Sequence, residues 1–201
     1  MTAASERFSG KRSSGSRQIA KRAFHAIRNL PDRLLHRRRH DALRTRLSAA
    51  RPPRKILVVC YGNVCRSPYL EAVLNRDLPK TEVISAGFFG ADRAVPDASL
   101  AISSLRGLDL SRFRSRPLVP PVVTPADLII VMDARQAREI TIRFPVNRAR
   151  IVIAGDLDPK FDQTRAIRDP WSQPREVFEA SFDRLDRCAA VLVSVLKWPR
   201  D

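Results

Sequence analysis

The most informative stretch of the 201 residues is Lys55-Ile-Leu-Val-Val-Cys60-Tyr-Gly-Asn-Val-Cys-Arg66-Ser67-Pro68. Its first six residues form a short, β-branched and largely apolar run, which is typical of a strand buried on both faces. A helix is predicted to follow closely, because Ser67 is a good N-cap and Pro68 suits the first helical position. The stretch therefore predicts a strand, a short loop and a helix in direct succession.

Similar apolar runs recur along the chain and alternate with helical patterns. Residues 127–132 and 150–154 predict further strands, and residues 82–85 predict a weaker one. Helices are predicted at about residues 67–77, 97–106, 134–143 and 174–196, and the proline-rich stretch 117–125 is expected to be a loop. This alternation predicts an α/β fold, a small four-stranded parallel sheet with helices on both faces. The loop after the first strand, which runs from a cysteine to an arginine at a helix start, is expected to be a phosphate loop. The ligand site of such folds lies at the carboxyl ends of the strands.

The loop from Cys60 to Arg66 has the properties of an anion site. Its backbone N–H groups can point inward and continue into the helix N-terminus, and Arg66 adds a planar fork that matches a phosphate dianion. These groups, with the Ser67 hydroxyl, favour the thiolate of Cys60 at neutral pH. The alternative is a buried strand-end cysteine before an ordinary helix, but Cys-x5-Arg-Ser-Pro in this position is far more specific than a cysteine alone.

The distribution of histidine and cysteine argues against several classes of hydrolase and of metal site. The chain has three histidines, His25, His36 and His40, and three cysteines, Cys60, Cys65 and Cys188. No histidine lies in residues 55–201, which speaks against Cys–His and Ser–His hydrolases. The cysteines are too few for a disulfide scaffold and lack the usual spacing of zinc ligands. We therefore expect no metal and no cofactor, and we expect Cys188 to lie in the core.

The net charge of +16 is concentrated in the first quarter of the chain. Residues 1–54 hold 15 basic and three acidic residues, a net charge of +12, whereas residues 55–201 hold 22 and 18, a net charge of +4. The composition turns apolar after Pro52 and Pro53. The sequence therefore predicts a basic extension, 1–54, and one domain, 55–201. It contains no run of about 18 apolar residues that would span a membrane, and we expect no secretory signal.

The extension divides into two parts. Residues 1–16 have the composition of a disordered segment, and residues 17–49 carry apolar side chains at helical spacing opposite a basic face. Pro31 either splits this pattern or begins a second helix. A basic amphipathic helix can lie on an anionic membrane surface. The open alternatives are a helix packed on the domain, a solvated tail, an acidic partner, a nucleic-acid contact and a mitochondrial transit peptide.

The segment around Cys60 resembles the phosphate loop of the low-molecular-weight protein tyrosine phosphatases, and the resemblance covers about residues 55–198. Ser85-Ala86-Gly87 resembles the segment after the second strand of that family, and residues 127–133 resemble its Asp-Leu-Ile-x-Val-Met-Asp strand. Residues 107–116 resemble its Gly-x-Asp-x-Ser-x-His-Arg-Ser-Arg segment, with Phe113 in place of histidine. Asp169-Pro170-Trp171 resembles its Asp-Pro-Tyr general-acid loop.

The resemblance implies a metal-independent hydrolysis of phosphotyrosine in proteins through a cysteinyl-phosphate. Cys60 would be the nucleophile, Arg66 would hold the phosphate, and Asp169 would be the general acid. Asp158-Pro159 is a competing Asp-Pro pair, but no aromatic residue follows it. Trp171 would form an aromatic wall beside the substrate ring. Ser172 stands where the family often has a second aromatic residue.

The other substrate-binding residues implied by the resemblance are Tyr61, Gly62, Asn63, Val64, Cys65 and Ser67. Asn63 is expected to brace the loop, and the alternative is a plain turn residue. Cys65 either forms a reversible disulfide with Cys60, which would protect it from over-oxidation, or simply packs in the loop. The apolar side chain of Val64 suits an aryl group, whereas the related arginine phosphatases favour Thr at this position.

Three other functions are compatible with such a loop. Thioredoxin-coupled arsenate reductases need two further cysteines, and outside the loop only Cys188 remains. The other two are a protein arginine phosphatase and a non-catalytic phosphate-binding module. By resemblance, bacterial members often oppose tyrosine kinases of polysaccharide export. We therefore expect a phosphotyrosine protein as partner, with a tyrosine kinase as one candidate, and a cytoplasmic location with contact to the inner membrane surface through residues 1–54. Nucleic acid is not an expected partner.

Overall fold

The structure is a computed structural model that describes residues 30–162 and 164–197. The disorder predicted for residues 1–16 and the part of the helical pattern before residue 30, with His25, lie outside the described residues. Within the described part of the chain, no helix is both long enough and apolar enough to cross a membrane.

Four parallel strands form the sheet at the centre of the fold. They are β1 (Lys55–Cys60), β2 (Glu82–Gly87), β3 (Leu128–Val131) and β4 (Ile151–Ile153), in the order β2-β1-β3-β4. The fold class predicted from the sequence is confirmed. Strand β1 pairs on both sides, so its β-branched and apolar residues are buried on both faces. Cys60 lies opposite Gly87 at the carboxyl edge of the sheet, where ligand sites of such folds form.

The helices cover both faces of this sheet. They are α1 (Leu30–Ala49), α2 (Arg66–Asp77), α3 (Asp97–Leu105), α4 (Pro120–Val123), α5 (Ala134–Arg143) and α6 (Arg175–Lys197). Alternate residues of β1 enter two separate cores: Ile56 and Val58 pack with residues of α2 and α6, and Leu57 packs with residues of α5. The alternation follows from the two-residue side-chain period of a strand.

The loop predicted over residues 117–125 is wrong in part, because it contains the short helix α4. Pro120 and Pro121 occupy the first positions of that helix, where the N–H groups would have no intrahelical partner. Pro117 also forms an isolated bridge beside Gly87. The hydrogen bonds of this bridge use the carbonyl of Arg116 and the N–H of Leu118, so the missing N–H of proline costs nothing.

Helix α1 packs against the domain. Its residues Leu43 and Leu47 are buried and belong to the same core as residues of α6. Pro31 lies in its first turn, in agreement with the alternative in which proline begins a helix. For residues 30–49, the structure thus shows the alternative of a helix packed on the domain.

A buried ion pair fixes the segment between β4 and α6. Asp158 is fully buried and accepts hydrogen bonds from Arg184 and Arg187, both on α6. Burial by itself raises the pKa of the Asp158 carboxyl, but the hydrogen bonds and positive charges of Arg187 and Arg184 outweigh it, so the pKa is lowered. This carboxylate therefore stabilises the fold when it is ionised.

We expect Asp158→Ala to lower the free energy of unfolding by about 3–5 kcal/mol, because it leaves the buried guanidinium of Arg184 without its carboxylate. Urea unfolding measures this loss. The wild-type advantage should be present above about pH 4 and should disappear as the pH falls through the lowered pKa. The control is Asp183→Ala, which removes a largely exposed partner of Arg106 and should cost less than about 1 kcal/mol. Equal losses in both variants would contradict the prediction.

Candidate active site

The loop between β1 and α2 folds around the sulfur of Cys60. Cys60 is 2% exposed, and its Sγ accepts hydrogen bonds from the backbone N–H of Asn63 at 3.2 Å and from the hydroxyl of Ser67 at 3.0 Å. The N-terminus of α2 begins beside it at Arg66. Two donors and the helix dipole thus stabilise negative charge on this sulfur.

The predicted helix cap at Ser67 is wrong. Helix α2 begins at Arg66 with Cys65 at the N-cap, and Ser67 lies inside the first turn. The Ser67 hydroxyl donates to Cys60 and is therefore not used as a cap. Pro68 is tolerated one position later, because the first N–H groups of a helix have no intrahelical partner.

Asn63 braces the loop from below. It is fully buried and adopts a left-handed backbone conformation with φ of 50°, which asparagine tolerates better than most residues. Its side-chain N–H groups donate to the hydroxyls of Ser67 at 2.9 Å and Ser85 at 2.7 Å, and its carbonyl accepts from the N–H of Arg116 at 2.7 Å. Because the Ser67 oxygen accepts from Asn63, its own hydrogen is free to point at Cys60. A Cβ on Gly87 would lie 2.8 Å from the nitrogen of Asn63, so only glycine fits there.

Ser85 extends this network to Glu71. The Ser85 hydroxyl donates to Glu71, and Arg116 Nη2 donates to the same carboxylate at 3.2 Å. Burial raises the pKa of Glu71, while the hydrogen bond from Ser85 and the charge of Arg116 act in the opposite direction. Phe113, which replaces the histidine of the family segment, has no side-chain group that could join these hydrogen bonds.

Arg66 connects the loop to the segment that carries Asp169. The guanidinium is 3% exposed, and it donates from Nη1 to the carbonyl of Ile167 at 2.9 Å and from Nη2 to the Asp169 carboxylate. Its Nε is buried and has no hydrogen-bond partner among the described residues. This N–H is therefore available to an anion bound in the loop.

A pocket of about 360 Å³ opens above Cys60. Its lining residues are Cys60, Tyr61, Gly62, Val64, Cys65, Arg66, Phe89, Arg93, Asp169 and Trp171. Every predicted site residue lines this pocket except Asn63 and Ser67, which are fully buried and hydrogen-bond to Cys60. Asp158, the competing candidate for the acid, does not line this pocket and is buried against Arg184 and Arg187 instead.

Two residues of this pocket were missed in the sequence. Phe89 stacks on Tyr61 with ring centroids 6.1 Å apart. It gives the pocket an aromatic wall in addition to Trp171, which Ser172 does not provide. Arg93 donates to the carbonyls of Gly62 and Phe89, and thus ties the loop after β2 to the phosphate loop. The two adjacent aromatic residues just after β2 were a usable signal for Phe89, whereas no local pattern marks Arg93.

The remaining cysteines are both buried and unpaired. Cys65 lies in the loop, where burial and the neighbouring Cys60 raise the pKa of its thiol. A disulfide between these two cysteines stays a prediction. Cys188 lies on the buried face of α6 and is 1% exposed, as expected, and burial raises its pKa as well. In residues 30–162 and 164–197, no three His, Cys, Asp or Glu residues are grouped in a way that could hold a metal ion.

The fold and this site agree with the comparisons with known proteins. Residues 55–199 match the family of low molecular weight phosphotyrosine protein phosphatases. The chain belongs to this family. It is 37% identical over 134 residues to the probable low molecular weight protein-tyrosine-phosphatase EpsP of Ralstonia nicotianae, which covers 66% of this chain and 88% of the relative. The phosphatase is thus a hydrolase of phosphotyrosine in proteins.

Solved structures of phosphatases have the same fold as this chain. The tyrosine phosphatase AmsI of Erwinia amylovora superposes with a TM-score of 0.67 at 28% identity, over 72% of this chain and 94% of that one. The YwlE arginine phosphatase of Geobacillus stearothermophilus superposes with a TM-score of 0.64 at 30% identity, over 71% and 92%. The arsenate reductase alternative is not favoured, because Cys188 is buried and is the only cysteine outside the loop.

We expect Ser67→Ala to slow both turnover and the alkylation of Cys60 by iodoacetamide at pH 6. A hydrogen bond to a charged group is worth about 1.5–3 kcal/mol, which corresponds to about a 10- to 100-fold loss of rate. The matched control is Ser99→Ala, since Ser99 is also fully buried but its hydroxyl has no partner among the described residues. If Ser67→Ala alkylates and turns over as fast as this control, the hydroxyl does not stabilise the thiolate.

Proposed function

We propose that the phosphatase transfers the phosphoryl group to Cys60 and then to water, with Arg66 and Asp169 as its partners. The observation that carries this proposal is that all three side chains line one pocket, with Arg66 hydrogen-bonded to Asp169. Residues 55–201 form the catalytic domain in this proposal, and residues 1–54 are an extension whose helix α1 packs on that domain.

In the first step, the Cys60 sulfur attacks phosphorus in line with the phenolic oxygen of phosphotyrosine. Arg66 and the inward N–H groups of the loop hold the three non-bridging oxygens and balance their charge in the transition state. A tyrosine leaving group has a pKa near 10, so it needs a proton as the bond breaks. Asp169 supplies this proton.

In the second step, the Asp169 carboxylate takes a proton from water, whose oxygen attacks the phosphorus of the cysteinyl-phosphate. The bond from phosphorus to Cys60 breaks, inorganic phosphate is released, and the thiolate returns. The hydrogen bonds from Asn63 and Ser67 support this step as well, because they stabilise the sulfur as a leaving group.

Three aromatic residues support an aryl phosphate as the substrate. Tyr61, Phe89 and Trp171 line the pocket and are 45%, 61% and 50% exposed, so their rings stand at its mouth. A phosphotyrosine ring can pack against such rings. Val64 adds an apolar side chain to the lining, which offers no hydrogen bond to a guanidinium. We therefore propose phosphotyrosine in preference to phosphoarginine, despite the structural likeness to an arginine phosphatase.

We expect Cys60→Ser to abolish the hydrolysis of 4-nitrophenyl phosphate without added metal. Asp169→Asn should lower kcat/KM for phenyl phosphate about 100-fold or more, because general acid catalysis contributes at least that much. The loss should be smaller for 4-nitrophenyl phosphate, whose leaving group needs a proton less. Asp183→Asn changes an exposed carboxylate of α6 and serves as the control. An equal loss for both substrates would contradict the acid role of Asp169, and activity in Cys60→Ser would contradict the mechanism.

We also propose that the phosphatase acts in the cytoplasm on a phosphotyrosine protein at the membrane surface, with a tyrosine kinase as one such partner. The support is the surface of α1 that packing leaves free, where five arginines are exposed: Arg33, Arg37, Arg38, Arg44 and Arg46. Among the described residues, the only arginine of α1 in an ion pair is Arg39, with Asp32. Exposed arginines on a docked helix can bind anionic headgroups.

We expect the full-length phosphatase to co-sediment with vesicles that contain phosphatidylserine, and Arg37→Gln/Arg38→Gln/Arg44→Gln to bind them about 100-fold less. Each arginine near an anionic surface contributes about 1 kcal/mol. The control Arg112→Gln/Arg114→Gln/Arg138→Gln removes the same charge from exposed positions of the domain. Equal binding by both triple variants would remove the proposal, and so would binding to neutral phosphatidylcholine vesicles at the wild-type level.

A further inference from the structure

Helix α1 contacts the segment that carries Asp169, although α1 lies outside the residues that match the family. We call this segment between β4 and α6, described at residues 154–162 and 164–174, the acid loop. His40 donates from Nδ1 to the carbonyl of Asp156 at 3.1 Å. One helical turn earlier, the ring of His36 packs against Phe161 with centroids 5.4 Å apart. Asp32, at the start of the helix, accepts a long hydrogen bond of 3.4 Å from the N–H of Arg165.

These side chains are held in place by the packing of the same helix. Leu43 and Leu47 lie one and two turns after His40 and are buried in the core with residues of α6. His36 is itself only 5% exposed. The helix therefore presents its polar side chains to the acid loop from a fixed position, and its contacts there are not those of a loosely attached tail.

A series of hydrogen bonds leads from Asp156, which α1 contacts, along the acid loop to Arg66. The Asp156 carboxylate binds the guanidinium of Arg165 through two hydrogen bonds, of 2.8 and 2.5 Å. A Cβ on Gly155 would collide with the carbonyl of Arg165, so the backbone at Gly155 packs directly against the backbone at Arg165. Two residues further on, Ile167 donates to the carbonyl of Met132 and accepts from Arg66.

Asp169 follows Ile167 by two residues and binds the same arginine, Arg66. Four residues of backbone therefore connect Arg165, which Asp156 holds, to the carboxylate in the pocket. The side of the loop that faces α6 is fixed separately: Arg184 donates to the carbonyls of Thr164 and Ala166, and Ser181 donates to that of Arg168. The acid loop is thus clamped between α6, which belongs to the family region, and α1, which does not.

We propose that α1 is a positioning element for the general acid: His40, with His36 and Asp32, holds the acid loop in the conformation that directs Asp169 into the pocket. The inference rests on the proposed role of Asp169. His40 acts through the loop and touches no reacting atom, so it is a positioning residue. Such a residue should influence the proton transfer to the leaving group more than the attack by Cys60.

The environment of His36 makes this clamp sensitive to pH. Burial lowers the pKa of His36, and the neighbouring His40 and Arg184 act in the same direction, against a backbone hydrogen bond and the charge of Asp158. Arg33 and Arg37, on the same helix, flank it with further positive charge. Its Nε2 is buried and has no hydrogen-bond partner among the described residues, so protonation would leave a buried cation poorly paired. The contribution of neutral His36 to docking is fully present above its ordinary pKa of about 6.5 and is lost as the pH falls.

The test compares two substrates with the same full-length enzyme. The kcat/KM for phenyl phosphate, divided by that for 4-nitrophenyl phosphate, reports proton donation to the leaving group. His40→Leu removes the donor to Asp156 and keeps the volume, and we expect it to lower this ratio about tenfold, the effect of one hydrogen bond. His40→Asn keeps an N–H donor near the position of Nδ1 and should retain the wild-type ratio. Thr45→Leu, at an exposed position of α1, should retain it as well.

The ratio does not depend on how much of a sample is folded, because unfolded enzyme lowers the apparent kcat/KM for both substrates by the same factor. A purely structural role of α1 would therefore leave the ratio of His40→Leu at the wild-type value, and that result overturns the inference. Asp169→Asn is measured beside it. If Asp169→Asn also leaves the ratio unchanged, the proposed acid role fails, whereas a failure of His40→Leu alone removes only the role of α1.

A second measurement follows the same ratio from pH 7.5 to pH 5.5 in wild type and in His36→Leu, which cannot be protonated. The two proteins differ only at residue 36, so the difference between their profiles reports His36. We expect the ratio of the wild type to fall relative to that of His36→Leu on acidification. Parallel pH profiles would overturn the pH sensitivity of the clamp.

Discussion

The chemistry of this phosphatase depends on a sulfur that two fixed donors stabilise as an anion. Cys60 stands at the carboxyl end of the central strand, and Asn63 and Ser67 both donate to its Sγ. These donors point inward because the Asn63 side chain is fully satisfied by its neighbours, which fixes the left-handed backbone of the loop. The domain has no histidine, and the site replaces a base with preorganised hydrogen bonds.

Arg66 joins the two halves of the site. The thiol and its donors are built by β1 and α2, whereas Asp169 arrives from the far side of the sheet, on the segment after β4. Arg66, which is 3% exposed, hydrogen-bonds to the second half through both Ile167 and Asp169. The nucleophile is thus local in sequence, while the acid depends on long-range packing. The hydrogen bonds of helix α1 reach this second half of the site.

The sequence was most informative where function requires adjacent residues. The strand, the loop and Arg66 occupy one short stretch, so their relation could be predicted from spacing. The helix start was misplaced because capping rules assume that a serine hydroxyl is free, whereas Ser67 donates to Cys60. The aromatic residue after Pro170 favoured Asp169 over Asp158 in the sequence, and the structure buries Asp158 away from the pocket. Arg93 could not be predicted from a local pattern, because its place in the pocket depends on contacts with the carbonyls of Gly62 and Phe89. In the sequence, the absence of histidine from the domain only spoke against histidine-dependent hydrolases. The structure adds that His36 and His40 of the extension contact the acid loop.

The depth of the pocket gives the site a simple means of selection. The sulfur of Cys60 lies at the base, 2% exposed, while Tyr61, Phe89 and Trp171 stand at the mouth. A phosphate reaches the sulfur only at the end of a side chain that spans this height. In phosphoserine and phosphothreonine the ester oxygen is one carbon from the backbone, so the peptide chain would meet the rim first. The fold thus measures the length of the phosphorylated side chain, and it makes this measurement before any chemical step begins.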